Sequence, residues 1–320
     1  MTKQDLRIVF MGTPEFAVAS LDALVGGGYN VVGVVTMPDK PAGRGYKMQF
    51  SAVKEYALAH NLPLLQPEKL KNEEFLDALR ALHADLQIVV AFRMLPEIVW
   101  AMPPLGTFNL HGSLLPQYRG AAPINWAIIN GEQETGVTTF FLQQEIDTGD
   151  LILQKRTPIT DGDNAGTIHD RLMSIGAAAV VETVDCIIAG NAPKTPQPQG
   201  VTLKSAPKIF KETCRIDWTQ SCHQIFNFVR GLSPYPAAWS VLHTDDKTID
   251  IKLFEVTREP AAHTLQAGQV VCDGKNYLKV AVADGFVKIE SLQPAGKKRM
   301  SAADWLRGQH GAPGTTWYFE

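Results

Sequence analysis

Hydrophobic and polar positions change rhythm about two thirds of the way along the chain, and the change predicts two kinds of architecture. In the first part, continuous apolar runs alternate with stretches of helical spacing. "LRIVFMG" (6–12), "NVVGVVT" (30–36), "LQIVVAF" (86–92), "GTFNL" (106–110) and "TGVTTFFL" (135–142) are β-branched runs that read as buried strands. "PEFAVASLDAL" (14–24) and the segments 51–60, 72–83 and 121–130 read as helices, with a "GGG" turn (26–28) before the second strand. A helix over 164–189 closes this part. Such alternation predicts an α/β fold, a parallel sheet covered by helices on both faces and joined by right-handed crossovers. Ligands of these sheets bind outside the carboxyl ends of the strands.

"GNAPKTPQPQG" (190–200), with three prolines and two glycines, opens a semi-extended linker over 190–207. Beyond it the period shortens to two. "AAWSVLH", "TIDIKLFEV", "GQVVCD", "NYLKVAVA" and "GFVKIESL" are alternating strands parted by Gly- and Asp-bearing turns, and their even spacing predicts a small antiparallel barrel over 208–320.

Composition narrows the class without deciding it. The 320 residues are 45% hydrophobic and 20% charged, ordinary for a globular protein with room for two domains. A net charge of −3 excludes a generally basic nucleic-acid binder. The charge is uneven, because residues 208–320 carry 14 Lys and Arg against 12 Asp and Glu. One face can therefore meet a polyanion. Cys186, Cys214, Cys222 and Cys272 form no CxxC pair, so no metal is implied and a reducing compartment fits them. The start "MTKQDLRIVFMG" has too short an apolar run for a signal peptide, and no later apolar segment is long enough to span a membrane. A cytoplasmic monomer is expected.

The first strand does not lead into a dinucleotide site. After Phe10 the chain reads Met11-Gly12-Thr13-Pro14-Glu15, where a pyrophosphate turn needs GxGxxG; Pro14 removes an amide donor and Glu15 repels phosphate. The chemistry gathers instead at "NLHGSLLPQYRG" (109–120). Asn109 and His111 stand two apart where a strand ends, so they face one side. An amide donor beside an imidazole can stabilise an oxyanion and move a proton. "QEIDTGDLILQ" (144–154) displays Asp147 in a turn at the end of another strand. Alone, each is a common turn; together they make an acid–base and oxyanion set, and spacing does not say for which reaction.

These motifs resemble the formyltransferase family that uses 10-formyltetrahydrofolate. "NLHGSLLPQYRGAAPINWAI", "ETGVT" and "IDTGD" carry the likeness. "RIVFMGTPEFAVASLDAL", "TMPDKPAGRGYKM", "SAPKI", "RIDW" and "SLQPAGKKRMSA" make it most similar to the branch acting on methionyl-tRNA, over essentially the whole chain. The resemblance implies a Rossmann-like catalytic domain over 1–189 and an OB-like barrel over 208–320 that contacts tRNA. It also implies transfer of a formyl group to the free amine of methionyl-initiator tRNA. By that similarity Asn109 donates to the oxyanion, His111 assists, and Asp147 orients His111 and relays protons. The acceptor amine, with a pKa near 8, attacks directly, so no nucleophilic Ser or Cys is needed. Ser113, Leu114, Leu115 and Pro116 are placed against the folate, with Phe92 and Met94 beside the pterin. There the sequence departs from the common "AYGxILP": Ala91-Phe92-Arg93-Met94-Leu95-Pro96 is one residue shorter and carries Arg93.

The resemblance gives tRNA to Lys40, Arg44 and Lys47 of "DKPAGRGYK" (39–47), Arg44 foremost, with Lys208, Lys297, Lys298 and neighbouring basic residues extending the track. Among formyltransferases, a glycinamide ribonucleotide enzyme would leave residues 200–320 without a role. A sugar-nucleotide enzyme would leave the basic loop unexplained. A nucleic-acid-binding module built on the barrel would give Asn109, His111 and Asp147 nothing to do.

Overall fold

The computed structural model describes residues 1–42, 47–309 and 316–320. Arg44 lies outside the described residues. The chain forms two compact units that interleave in sequence. One comprises 1–120, 135–157 and 169–204; the other comprises 121–134, 158–168 and 205–320. The first 189 residues thus lend two excursions to the second unit.

The first unit is built on a seven-stranded sheet. Its order is Leu151–Pro158, Glu134–Phe141, Thr107–His111, Leu86–Val90, Ile8–Gly12, Val31–Val35, Leu64–Leu65. The last five run parallel, as the apolar runs predict. Glu134–Phe141 is the exception, since it pairs antiparallel with Thr107–His111. The preceding helix, Pro123–Ile129, belongs to the second unit and so is not a crossover that would return the chain in parallel. The sequence pattern alone carried no sign of this reversal.

Continuous apolar runs follow from burial on both faces. Every residue of Ile8–Gly12 and of Leu86–Val90 is buried. Val9, Met11 and Val89 turn toward Phe75, Leu76 and Leu79 of the helix Glu73–Ala81. Gly12 cannot be replaced without movement, because a Cβ there would lie 2.6 Å from the Ala17 Cβ as the chain enters the helix Glu15–Gly26. Ser51 starts the helix Ala52–Ala59, its side chain accepting from the Lys54 N–H. Among the described residues, no helix is long and apolar enough to cross a membrane.

The second unit contains the antiparallel sheet expected from the short alternating strands. The order is Val270–Cys272, Leu278–Val282, Gly285–Pro294, Thr248–Pro260, Ala238–His243, Tyr318–Phe319. Its first and last strands meet. Gln269 bridges Tyr318, and the Val270 N–H donates to the Trp317 carbonyl at 2.9 Å. Closure removes the free edges of the sheet. The thirteen-residue strand Thr248–Pro260 bends through register shifts around Glu255, as wrapping a barrel requires. The helix Cys222–Leu232, started by a Ser221–Gln224 capping box, adds Ile225, Val229 and Leu232 to the barrel core.

Candidate active site

Parallel strands end at one edge of their sheet, and at that edge the chain places Asn109 and His111. Both lie on the Thr107–His111 strand, whose carboxyl end extends one residue further than its apolar pattern predicts. His111 is 7% exposed, whereas Asn109 is half-buried. The side-chain amide of Asn109 makes no hydrogen bond among the described residues. A polar group held this way is free to serve a ligand.

The His111 ring is set by its neighbours. Its Nε2 lies 2.9 Å from the Tyr118 carbonyl oxygen, which can only accept, so Nε2 carries the proton. Nδ1 is then the open, basic nitrogen, 4.0 Å from Asp147 Oδ2. At that distance the carboxylate is an electrostatic partner rather than a hydrogen-bond acceptor. Asp147 adopts φ +54° in its turn, and its Oδ2 accepts from the Gly120 N–H at 3.1 Å. The residue expected to orient His111 therefore faces it, while the Tyr118 carbonyl fixes the tautomer.

Two loops carry these groups, and buried or half-buried hydrogen bonds tie them down. In 112–118, the Thr138 hydroxyl donates to the Ser113 carbonyl at 2.6 Å and accepts from the Leu115 N–H at 3.1 Å. Gln154 donates to the Leu115 carbonyl at 2.9 Å. The Ser113 hydroxyl is spent internally on the Gln117 carbonyl, and Ser113 and Leu115 are both buried. Of the four residues expected against folate, only Leu114 and Pro116 keep part of their surface open. The 143–150 loop is held by Gln197, whose amide donates to the carbonyls of Asp147 (2.8 Å) and Gly149 (3.0 Å). Arg119 in turn donates to the Gln197 side chain at 2.5 Å. Gly149 sits so close to the neighbouring strand that a Cβ would fall 1.6 Å from the Phe141 carbonyl oxygen.

Thr138, Gln154 and Gln197 were not singled out from the sequence. Thr138 and Gln154 lie in stretches quoted for other reasons, and Gln197 lies in what reads as linker. The signal available was an amide-bearing Gln among prolines, a donor able to close a turn.

The shortened 91–96 loop is anchored differently from what a glycine would allow. The Arg93 guanidinium donates to the Pro67 and Glu68 carbonyls, and burial draws its pKa below the ordinary arginine value. Phe92 is half-buried against the cluster around Leu95 and Val99, while Met94 stands 75% exposed. Of the residues expected at tRNA, Lys40 is exposed in Lys40–Ala42, which pairs antiparallel with Lys47–Gln49. Lys208, Lys297 and Lys298 are exposed on the second unit, Lys208 lying over the Phe210 ring at 5.4 Å.

Known proteins match this chain along nearly its whole length. A family described as formyl transferase matches residues 6–184, and its C-terminal domain matches 208–310. The chain belongs to the formyl transferase family. It is similar to the methionyl-tRNA formyltransferase of Bacteroides fragilis, 63% identical over 97% of each chain. It is also similar to that of Flavobacterium johnsoniae, 56% identical over 95% of this chain and 96% of the relative. Among solved structures, the sugar 3N-formyl transferase WlaRD shares the fold at TM-score 0.65 and 20% identity, over 92% of this chain and 99% of that one. HypX from Aquifex aeolicus, solved with tetrahydrofolic acid, aligns at TM-score 0.62 and 20% identity, over 94% of this formyltransferase and 47% of HypX.

Proposed function

We propose that this formyltransferase moves the formyl group of 10-formyltetrahydrofolate to the amino group of methionyl-initiator tRNA, giving the formylated tRNA that starts translation in the cytoplasm. The acceptor follows the relatives, 63% identical along nearly the whole chain. The observation that carries the site is the unpartnered Asn109 amide one strand repeat from an imidazole whose Nδ1 is open and faces a carboxylate.

In this reading the neutral amine attacks the formyl carbon, and the carbonyl oxygen becomes an oxyanion that takes the free N–H of Asn109. The tetrahedral species then carries a proton on its nitrogen that must leave. Nδ1 of His111 is the open base, and the imidazolium so formed is stabilised across 4.0 Å by Asp147. The proton returns to the folate nitrogen as the C–N bond to the formyl carbon breaks. Leu114, Pro116, Phe92 and Met94 offer apolar surface to the folate, while Ser113 and Leu115 shape the loop from inside. Lys40, Arg44 and Lys47, with Lys208, Lys297 and Lys298, meet tRNA phosphates. In this reading 1–189 carries the chemistry and the basic 39–47 loop, 190–207 is a linker, and 208–320 adds further tRNA contacts, in a protein acting as a monomer.

The test is formyl transfer from 10-formyltetrahydrofolate to charged initiator tRNA, with Asn109→Ala beside the wild type. Transfer that is lost in a folded variant supports both reaction and site. Folate binding without transfer to tRNA would reject the acceptor, and glycinamide ribonucleotide, amino sugars and water would be tried next.

A further inference from the structure

The segment that carries Lys40 leaves the same sheet edge as His111, and three side-chain links close its base. Thr36 and Ser51 hydroxyls share a hydrogen bond of 2.8 Å across the two ends of the excursion. Lys54, in the helix Ala52–Ala59, pairs with Asp39 at 2.5 Å. Gln66, just after the Leu64–Leu65 strand, donates to both the Asp39 carboxylate and the Met37 carbonyl at 2.9 Å. Lys54 also lies over the Phe50 ring at 4.1 Å, so one ammonium touches the chain just before and just after the paired strands Lys40–Ala42 and Lys47–Gln49.

These charges are not ordinary surface charges. The Lys54 and Asp39 side chains are only 12% and 22% exposed, whereas pairs such as Arg80–Asp77 stand in water. Withdrawing an ion pair from water costs about as much as its attraction returns, so such a pair is poor evidence for stability and better evidence for a fixed arrangement. Asp39 has further fixed partners on the Gln66 amide, and Lys54 and Gln66 together hold its carboxyl below the ordinary aspartate range. The link therefore sets the direction in which the paired strands leave the sheet.

We infer that Asp39, Lys54 and Gln66 are positioning residues for the tRNA acceptor. They aim the paired strands Lys40–Ala42 and Lys47–Gln49 from their base and form no hydrogen bond or ion pair with Asn109, His111 or Asp147. The inference rests on the proposed use of that excursion for tRNA. It separates the two substrates, because the 91–96 and 112–120 loops hold none of these residues.

The test is steady-state formylation by the full-length protein, varying methionyl-tRNA and 10-formyltetrahydrofolate in turn, for Asp39→Asn, Lys54→Met and the double variant. Expected is a rise of about tenfold in KM for methionyl-tRNA, with KM for the folate within about twofold and kcat little changed. The double variant should lose no more than the worse single, as residues acting as one unit do. Should Asp39→Asn fail to fold by thermal melting, Gln66→Met removes the amide's hydrogen bonds while leaving both members of the ion pair in place and must show the same split. An unchanged tRNA KM, or equal rises in both KM values, overturns the inference while leaving the function standing. Wild-type protein that formylates no methionyl-tRNA overturns the function and this inference together.

Discussion

The candidate reaction centre and the basic surface of the barrel are built on opposite principles. Around Asn109, His111 and Asp147, each loop is held by buried or half-buried hydrogen bonds from Thr138, Gln154 and Gln197. Lys297 and Lys298 stand exposed in a turn between Pro294 and Met300, while the neighbouring Arg299 donates to the Ser291 hydroxyl and lies over the Phe254 ring. The difference follows from what each must recognise. Charge developing on one oxygen is met by a donor placed to a fraction of an ångström, and misplacement is costly. A phosphate backbone is met by mobile charges whose effect is summed and screened by salt.

The comparison breaks most sharply at the strand end. Asn109→Ala and His111→Ala should each lower the formylation rate about 10²–10³-fold with the fold retained, and near-normal turnover in either would remove the assigned roles. Next is Gly149→Ala. A Cβ there would enter the Phe141 carbonyl, and forced repacking should cost about 3 kcal/mol in denaturant unfolding; a variant as stable as wild type would show that the loop is free to shift. Gln197→Ala comes third. It leaves the Asp147 and Gly149 carbonyls without their donor, and kcat should fall about tenfold while KM for tRNA stays put. Lys297→Ala and Lys298→Ala should each change tRNA KM by about twofold, an effect that fades as salt is raised, whereas the Asn109 defect should not respond to salt.

A last prediction concerns acid. The Asp284 carboxyl, in the second unit, is held below its ordinary value of 3.8, chiefly by the Cys222 backbone N–H it accepts at 2.7 Å. A carboxyl lowered by folding contributes stability that is complete above its unfolded pKa and vanishes as pH falls through the folded one. Asp284→Asn should therefore melt earlier than wild type at pH 7, and the two curves should converge in strong acid. Parallel curves down to pH 2 would mean that the hydrogen bond carries no charge-dependent stability.

Much of the fold was legible because local rules agreed with the global one. Ile8–Gly12 and Leu86–Val90 read as buried strands and are buried on both faces. The segment 51–60 reads as a helix and forms one over Ala52–Ala59, started by the Ser51 side chain. The strand Leu151–Pro158 escaped notice because Gln154, Lys155 and Arg156 interrupt any apolar run, although the strand is an edge neighbour of Glu134–Phe141. Helix Pro123–Ile129 was legible as a helix but not as part of the second unit.

By itself the sequence determined the residue types, their strand-end placement and the change of period between the two halves, since these depend on neighbours a few positions apart. Tertiary structure alone decided which nitrogen of His111 is open, through a carbonyl seven residues on. It alone brought Gln197 beneath Asp147 across fifty residues and Asp39 onto both Lys54 and Gln66. Hydrogen bonds and ion pairs are short-ranged and directional, so the partners that orient a reactive group are chosen by proximity in space, which no local pattern of polarity encodes.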